Sequence, residues 1–413
     1  MKIVFLSQSG AIGGAERVLL DLMAELHQCY PHWAIDLIAP AAGPLVEDTR
    51  AIGVAAHVVE FPAALARLGD SAPASRAGHL LLQLGRLGAS SPAVHRYANR
   101  LNGMLVARDP DLIHANGFKM HLLGARAAPP RSALVWHVHD FVGARPLMRR
   151  LLRAYAGRCD MAVANSRAVA ADLRTALGPS PRVAVIYNGI DLERFVAGGD
   201  TVDLDAIAGL PAAPPDVVRV GLVATAAHWK GHRVFLRALA LLPRALPVRG
   251  YVIGGAVYHT RQSQISLAAL RQEVTRLGLA ERVGFTGFLP DIAPALHALD
   301  IVVHPSIQPE PFGLVVAEAF ACARAVITSG SGGVAEFVEP ERNALVHRPG
   351  DAAGLARAIA RLLDDPGLRG RLGEAARITA ASRFGRQRMA EEFAALYRAM
   401  VNAGANDAAA ARS

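Results

Sequence analysis

Lysine is nearly missing from this chain. Of its 44 basic residues only Lys2, Lys119 and Lys230 are lysines, so an indifferent surface cation here is an arginine and each lysine stands out. Cysteine is as scarce. Cys29, Cys159 and Cys322 lie far apart with no Cys-x-x-Cys, which argues against a disulfide framework and against a cysteine-rich zinc site, and fits a reducing compartment. Charged residues make up only 19% against 52% hydrophobic, which excludes disorder over most of the length. No apolar run reaches membrane-spanning length; the best candidate, Leu314 to Ser329, is broken by Glu318 and Arg324. The opening Met1-Lys2-Ile3-Val4-Phe5-Leu6 turns polar at Ser7, too short for the apolar region of a signal peptide. It reads as the first buried strand of a cytoplasmic protein.

A formal net charge of +9 remains, but residues 1–205 hold 21 basic and 18 acidic residues and residues 206–413 hold 23 and 17. The excess is spread out, with no basic run and no interleaved aromatics, so nucleic acid is not the expected partner. With 413 residues the chain has room for two domains. Short apolar runs alternate with amphipathic segments. Lys2–Ser7, Ala34–Ala39, Ala56–Phe61, Leu112–Ala115, Ala133–His137, Met161–Asn165 and Val183–Tyr187 read as buried parallel strands. The pattern restarts with Val217–Ala224, Val248–Ile253, Arg282–Phe285, Ile301–Pro305, Ala325–Thr328 and Ala344–His347. Both halves are therefore expected to be α/β, doubly wound parallel sheets. The stretch 197–216, with Gly198-Gly199 and Pro211-Ala-Ala-Pro214-Pro215, reads as the linker. The expected domains are 1–205 and 206–384, with a helix over 385–402 packing back on the first domain and a flexible tail over 403–413. The segment Pro62–Ser91 reads as loops and short helices.

Chemistry concentrates at His304-Pro-Ser-Ile-Gln-Pro-Glu310-Pro-Phe-Gly-Leu-Val-Val-Ala-Glu318. A strand and a proline-rich loop lead into a helix at Phe312-Gly313, and the first backbone N–H groups there, with Leu314, suit a phosphate. Glu318 stands one turn inside the helix among Val315, Val316, Ala317, Ala319 and Phe320. A carboxylate in so apolar a setting needs a partner, and a ribose offers two hydroxyls. Glu310, in the loop, can meet a polar group beyond the phosphate. The plainer reading, an acidic first turn favouring the helix dipole, explains Glu318 poorly. Lys230 precedes a helix, an unfavourable place for a cation unless an anion binds there; a departing diphosphate is such an anion. Gly13-Gly14 is either a plain turn or a close approach for a diphosphate or sugar. His137 and His139 share a strand face, but with His114 the only further candidate ligand, no metal site is expected. Residues Arg145, Arg149, Arg150, Arg153 and Arg158 form either an ordinary solvated helix face or a contact for anionic lipid.

Glu310-x7-Glu318 with Phe312-Gly313 between them resembles the signature of family 4 of the retaining glycosyltransferases, two-domain GT-B proteins that use nucleotide-activated sugars. Gly13-Gly14-Ala15-Glu16-Arg17, Asn188-Gly189-Ile190-Asp191, Trp229-Lys230-Gly231-His232 and Ser329-Gly-Ser-Gly332-Gly333-Val-Ala-Glu336 resemble further motifs of that family, in the right order from Gly13 to Glu336. The resemblance implies two Rossmann-like domains facing a cleft. It implies transfer of a sugar from a nucleoside-diphosphate sugar to an acceptor hydroxyl, in envelope polysaccharide or glycolipid synthesis, with no cofactor or metal. It gives His139, Glu310 and Lys230 catalytic roles, with His137 as second choice for the histidine. It places the donor on Gly14, Thr225, Lys230, Leu289, Phe312, Gly313, Leu314 and Glu318, leaves Glu336 a structural role, and raises the case for peripheral membrane contact through 145–158. One departure matters. The family carries an arginine where this chain has Thr225, so phosphate neutralisation must rest on Lys230 and helix dipoles, or on His228 or Arg233. The alternatives are a nucleotide-sugar epimerase, or a scaffold on the same fold that binds sugar nucleotides with a decayed site.

Overall fold

The computed structural model of the chain describes residues 1–62, 77–255 and 264–410. The chain divides into two compact units, residues 1–189 with 386–413 and residues 190–385.

In the first unit seven parallel strands form one sheet: β1 (Lys2–Ser7), β2 (Ala34–Ala39), β3 (Ala55–Val58), β4 (Leu112–Asn116), β5 (Ala133–Val138), β6 (Met161–Ala164) and β7 (Arg182–Val185), in the order β3-β2-β1-β4-β5-β6-β7. The helices between them are α1 (Gly14–Cys29), α2 (Pro44–Ala51), α3 (Ala77–Arg108), α4 (Phe118–Ala127), α5 (Pro146–Tyr155) and α6 (Arg167–Leu177). The central strands are near-continuous apolar runs because helices cover both faces. Val18, Leu19, Leu22, Met23 and Leu26 of α1 are buried on the sheet. Of the stretch expected as loops and short helices, residues 63–76 lie outside the described residues. From Ala77 the backbone is instead one helix running through Pro92 to Arg108.

The second unit opens with α7 (Leu204–Ala208), inside the stretch expected to be a linker. Asp203 caps this helix, accepting from Ala206 N–H. Asp205 is buried and accepts from Arg249 Nη1 at 2.5 Å, Tyr251 Oη at 2.6 Å and Ala213 N at 3.0 Å. Although burial opposes it, these donors hold the Asp205 carboxyl below its ordinary range. The proline-rich stretch is thus strapped to its own domain, and the boundary falls at Gly189/Ile190. Next come β8 (Val218–Val223), α8 (His232–Leu241), β9 (Val248–Ile253), α9 (Leu267–Arg276), β10 (Val283–Gly287), α10 (Ala293–His297), β11 (Ile301–His304), α11 (Leu314–Ala321), β12 (Ala325–Thr328), β13 (Leu345–Val346), α12 (Ala352–Asp364) and α13 (Pro366–Arg383). The six strands are parallel in the order β10-β9-β8-β11-β12-β13.

The last helix, α14 (Arg386–Ala410), belongs to the first unit. It is helical to Ala410, where a flexible tail was expected from residue 403; the alanine-rich end favours helix. It brings Phe393 and Tyr397 onto the buried histidines of β4 and β5. Tyr397 Oη lies 2.6 Å from His114 Nδ1, and the Phe393 ring is 4.9 Å from that of His137.

His114, His121 and His137 are all fully buried. Burial pulls His121 down to about 4 and holds His114 and His137 well below the ordinary imidazole range. They stay neutral when folded, while the unfolded chain protonates them near 6.5. Their contribution is therefore complete above that pH and is lost as pH falls below it, at up to about 1.4 kcal/mol per pH unit for each. Urea denaturation at about pH 7 and about pH 5.5 should show a loss of about 1 kcal/mol for each such histidine, and His137→Leu should remove its share. Equal midpoints at both pH values would refute this account.

Candidate functional site

In each unit the strand order reverses once, between β1 and β4 in the first and between β8 and β11 in the second. Loops leaving the carboxyl ends of strands on either side of such a reversal diverge and open a crevice between them, where ligands of doubly wound sheets bind.

In the second unit three loops meet there. The loop after β8 carries Thr225 and a short 3-10 turn, His228–Lys230. That after β11 carries Ser306 and Glu310, and that after β12 carries Ser329 to Gly332. Two glycines let them converge. Gly231 has φ +77, and a Cβ on it would collide with the carbonyl oxygen of Pro305. Gly332 has φ +76, and a Cβ there would collide with the backbone of Glu310. Both positions combine a left-handed backbone with a neighbouring chain in van der Waals contact, so only glycine fits. Backbone bonds then join the loops: Ile307 N to Trp229 O at 2.8 Å, Glu310 N to Ser331 O at 3.1 Å, and Gly333 N to Glu310 O at 2.7 Å.

Lys230 Nζ donates to Glu310 Oε1 at 2.6 Å. The other carboxylate oxygen, Oε2, accepts from Ser306 Oγ at 3.0 Å and lies 3.3 Å from His304 Nε2. Burial alone would raise the Glu310 carboxyl, but the Lys230 ammonium, with His304, overrides it and holds the group far below its ordinary range. Glu310 is 8% exposed. Its carboxylate has a cation of its own beside it.

Gly313 is the N-cap of α11, whose first residue is Leu314, and Glu318 lies one turn on, 6% exposed. The Phe312 side chain turns inward, with its ring 5.6 Å from Phe337 and 5.4 Å from Phe384, so only its backbone is left for a ligand. Leu289 is half-buried just past the end of β10, beside Phe288, which is 62% exposed. Thr225 is half-buried, and its carbonyl accepts from Ala227 N. Of the cations suggested to replace the missing arginine, Arg233 lies within electrostatic reach of Glu273. Asp203 and Asp205, which have Asp-x-Asp spacing, serve as helix cap and arginine partner. Among the described residues no cluster of three metal-ligating side chains occurs.

In the first unit Gly13 is the N-cap of α1, and its N–H donates to Glu16 Oε2 at 3.2 Å. Gly14 is exposed. Asn116, the last residue of β4, ties the two sides of the strand reversal together: its Nδ2 lies 3.5 Å from Ala15 O, and its Oδ1 accepts from His139 Nε2 at 2.8 Å. Sequence reasoning missed Asn116, though a polar residue ending a buried strand is the signal that could have found it. His139 is half-buried just beyond β5, whereas His137 is wholly covered. Chiefly through burial, His139 is lowered to about 3. A neutral ring that donates from Nε2 keeps Nδ1 as an acceptor. Arg145 pairs with Asp140, and α5 exposes Arg149, Arg150 and Arg153 while burying only Leu152. Among the described residues no helix is long and apolar enough to cross a membrane.

Comparison with known proteins matches residues 12–194 to the model of "Glycosyltransferase Family 4" and residues 211–379 to that of "Glycosyl transferases group 1". A 2-deoxystreptamine glucosyltransferase of Streptomyces kanamyceticus is 32% identical over 249 residues, 59% of this chain and 58% of that one. The lipopolysaccharide core mannosyltransferase LpcC of Rhizobium leguminosarum is 33% identical over 218 residues, 52% of this chain and 60% of that one. The match thus spans less than two thirds of the curated relatives' length. Among solved structures, Anabaena HepE in complex with UDP and glucose superposes with a TM-score of 0.77 at 28% identity, over 96% of this chain and 99% of that one. WaaG, of lipopolysaccharide biosynthesis, superposes with a TM-score of 0.67 at 15% identity, over 96% and 99% of the two chains.

Gly231→Ala should cost at least about 1–2 kcal/mol of stability through its left-handed backbone alone. It should also part the loops that hold Lys230 and Glu310. Chemical denaturation measures the first effect. An unchanged midpoint would show that the loops do not meet there.

Proposed function

We propose that this chain, which belongs to the group 1, family 4 glycosyltransferases and has their GT-B pair of doubly wound parallel-sheet units, moves a sugar from a nucleoside-diphosphate donor to an acceptor hydroxyl. The observation that carries this reading is the ion pair at the strand reversal of the second unit, where Lys230 and Glu310 stand 2.6 Å apart beside the start of α11. A sugar nucleotide presents a diphosphate next to a ring of hydroxyls, and these two side chains offer a cation next to a carboxylate. Three solved HepE structures, at 27–28% identity, are described as complexes with UDP, with UDP and glucose, or with UDP-glucose, which supports a donor of this class.

In this reading Lys230 and the N-terminal end of α11, at Gly313 and Leu314, stabilise the negative charge of the departing diphosphate. Glu318 holds the ribose hydroxyls, Leu289 and its neighbours approach the base, and Thr225 adds a neutral donor. Glu310 binds hydroxyls of the sugar beside its anomeric carbon. The acceptor oxygen bonds to that carbon as its bond to the phosphate oxygen breaks. By the family's retaining scheme the acceptor enters on the face the diphosphate leaves, and the leaving oxygen takes the acceptor's proton. No metal or cofactor is needed, because Lys230 and the helix dipole supply the positive charge. In the first unit, Gly14 and the Nδ1 acceptor of His139 are assigned to the sugar and the acceptor side. The part LpcC plays in lipopolysaccharide core biosynthesis favours an envelope glycan as product. The exposed arginines of α5 would then meet anionic lipid.

A thermal-shift screen of the full chain against UDP, GDP, ADP and their sugar conjugates tests the donor. A site filled at about 100 times its dissociation constant adds about 2.7 kcal/mol of stability. The shift should be selective for one nucleotide and absent in Lys230→Ala and Glu318→Ala. No shift with any nucleotide would sink the transferase reading, whereas binding without transfer or hydrolysis of any donor would favour the decayed scaffold. For α5, vesicles containing anionic lipid should retain the protein at low salt, and Arg149→Glu with Arg153→Glu should release it. Failure of the wild type to bind them would end the membrane proposal.

A further inference from the structure

Glu310 is held from more sides than binding a sugar requires. Its backbone is clamped by Ser331 and Gly333, and its Oε2 meets Ser306 and His304. Neither residue is among those the family resemblance singles out. Behind them the polar contacts continue. Gly330 N–H donates to Thr328 Oγ1 at 3.2 Å, and the hydroxyl of Thr328 stands 3.2 Å from His304 Nδ1. A ring that accepts at Nδ1 carries its proton at Nε2, the nitrogen 3.3 Å from Glu310 Oε2 and 3.4 Å from Ser306 Oγ. His304, Ser306 and Thr328 are 5%, 1% and 0% exposed. Polar groups so deeply buried are costly unless they serve one another or a charge, and the charge here is the carboxylate.

We propose that His304 and Ser306 are positioning residues for Glu310, fixing one carboxylate oxygen so that the other is presented to a hydroxyl of the donor sugar. The proposal rests on the transferase reading above. With Oε2 committed to two donors, the carboxylate cannot rotate to follow Lys230 when a diphosphate draws the ammonium away. Oε1 then stays in place and loses its cation as the sugar arrives, so a sugar hydroxyl becomes its replacement donor. The nucleotide moiety does not depend on this arrangement, because it is met by Lys230, α11 and Glu318.

The test uses the full chain with Ser306→Ala, His304→Phe and His304→Gln, titrated with UDP, UDP-glucose, GDP and GDP-mannose, and followed for sugar release or transfer. Glutamine restores an N–H near the Nε2 position, while phenylalanine keeps the ring and removes both nitrogens. Ser306→Ala and His304→Phe should lower kcat about 10- to 100-fold, the scale on which a misplaced catalytic group acts. Affinity for the bare nucleoside diphosphate should stay within about twofold, the preference for the sugar nucleotide over it should shrink, and His304→Gln should recover most of both losses. If turnover is below detection, that preference alone decides. The proposal is overturned if bare-nucleotide affinity falls in step with the rest, if glutamine is no better than phenylalanine, or if neither rate nor preference changes. A wild-type chain that binds none of the four compounds removes the transferase reading itself, a different outcome from any of these.

Discussion

A carboxylate taken out of water must bring its neutralising partners with it, and the second unit is arranged around that requirement at Glu310. Lys230 comes from the loop after one strand, Ser306 and His304 from the next strand and its loop, and the backbone clamp from the loop after the third. Removing Lys230 would leave the Glu310 charge buried without its cation, a loss of about 3–5 kcal/mol when a buried pair is broken. The loops are therefore mutually dependent. The same pairing explains how a lysine can sit just before a helix: the Glu310 carboxylate offsets the unfavourable dipole there.

The two units meet one geometric constraint with different chemistry. Each reverses its strand order once and gathers polar residues at that reversal. In the second unit the gathered groups are charged and suited to an anion. In the first they are neutral: Asn116 joins the start of α1 to His139, and the histidines behind are kept uncharged by burial. A neutral acceptor nitrogen and a bare glycine edge suit hydroxyls rather than phosphates, which is the division of labour expected of a transferase that takes charge on one substrate only.

Much of this was legible in the residues. Parallel strands buried on both faces read as continuous apolar runs, so β1, β2, β9 and β12 were expected at their observed bounds, and the other strands differ at the ends, where hydrogen-bond register rather than composition decides. The Glu310 to Glu318 motif announced itself because Glu318 stands in an apolar helix. What misled was composition without partners. Pro211, Pro214 and Pro215 looked like a linker, yet Asp205 binds Arg249 and Tyr251, some 44 and 46 positions away, and such pairing leaves no local trace. Phe312 was expected to offer only its backbone N–H, and its ring packs on Phe337 and Phe384. His304 and Ser306 were quoted with the motif and given no role, since only the fold shows which carboxylate oxygen they meet.

The final helix carries a consequence for how the chain comes to be folded. His114 is paired with Tyr397 across 283 positions, and the whole of the second unit is synthesised between them. On the ribosome, the first sheet is made first but stays uncovered over its histidines until α14 emerges. The second unit, continuous in sequence, has no such wait. The order of synthesis and the order of completion are therefore reversed. A stalled or truncated chain would carry a finished second unit attached to a sheet still open to water and to protons.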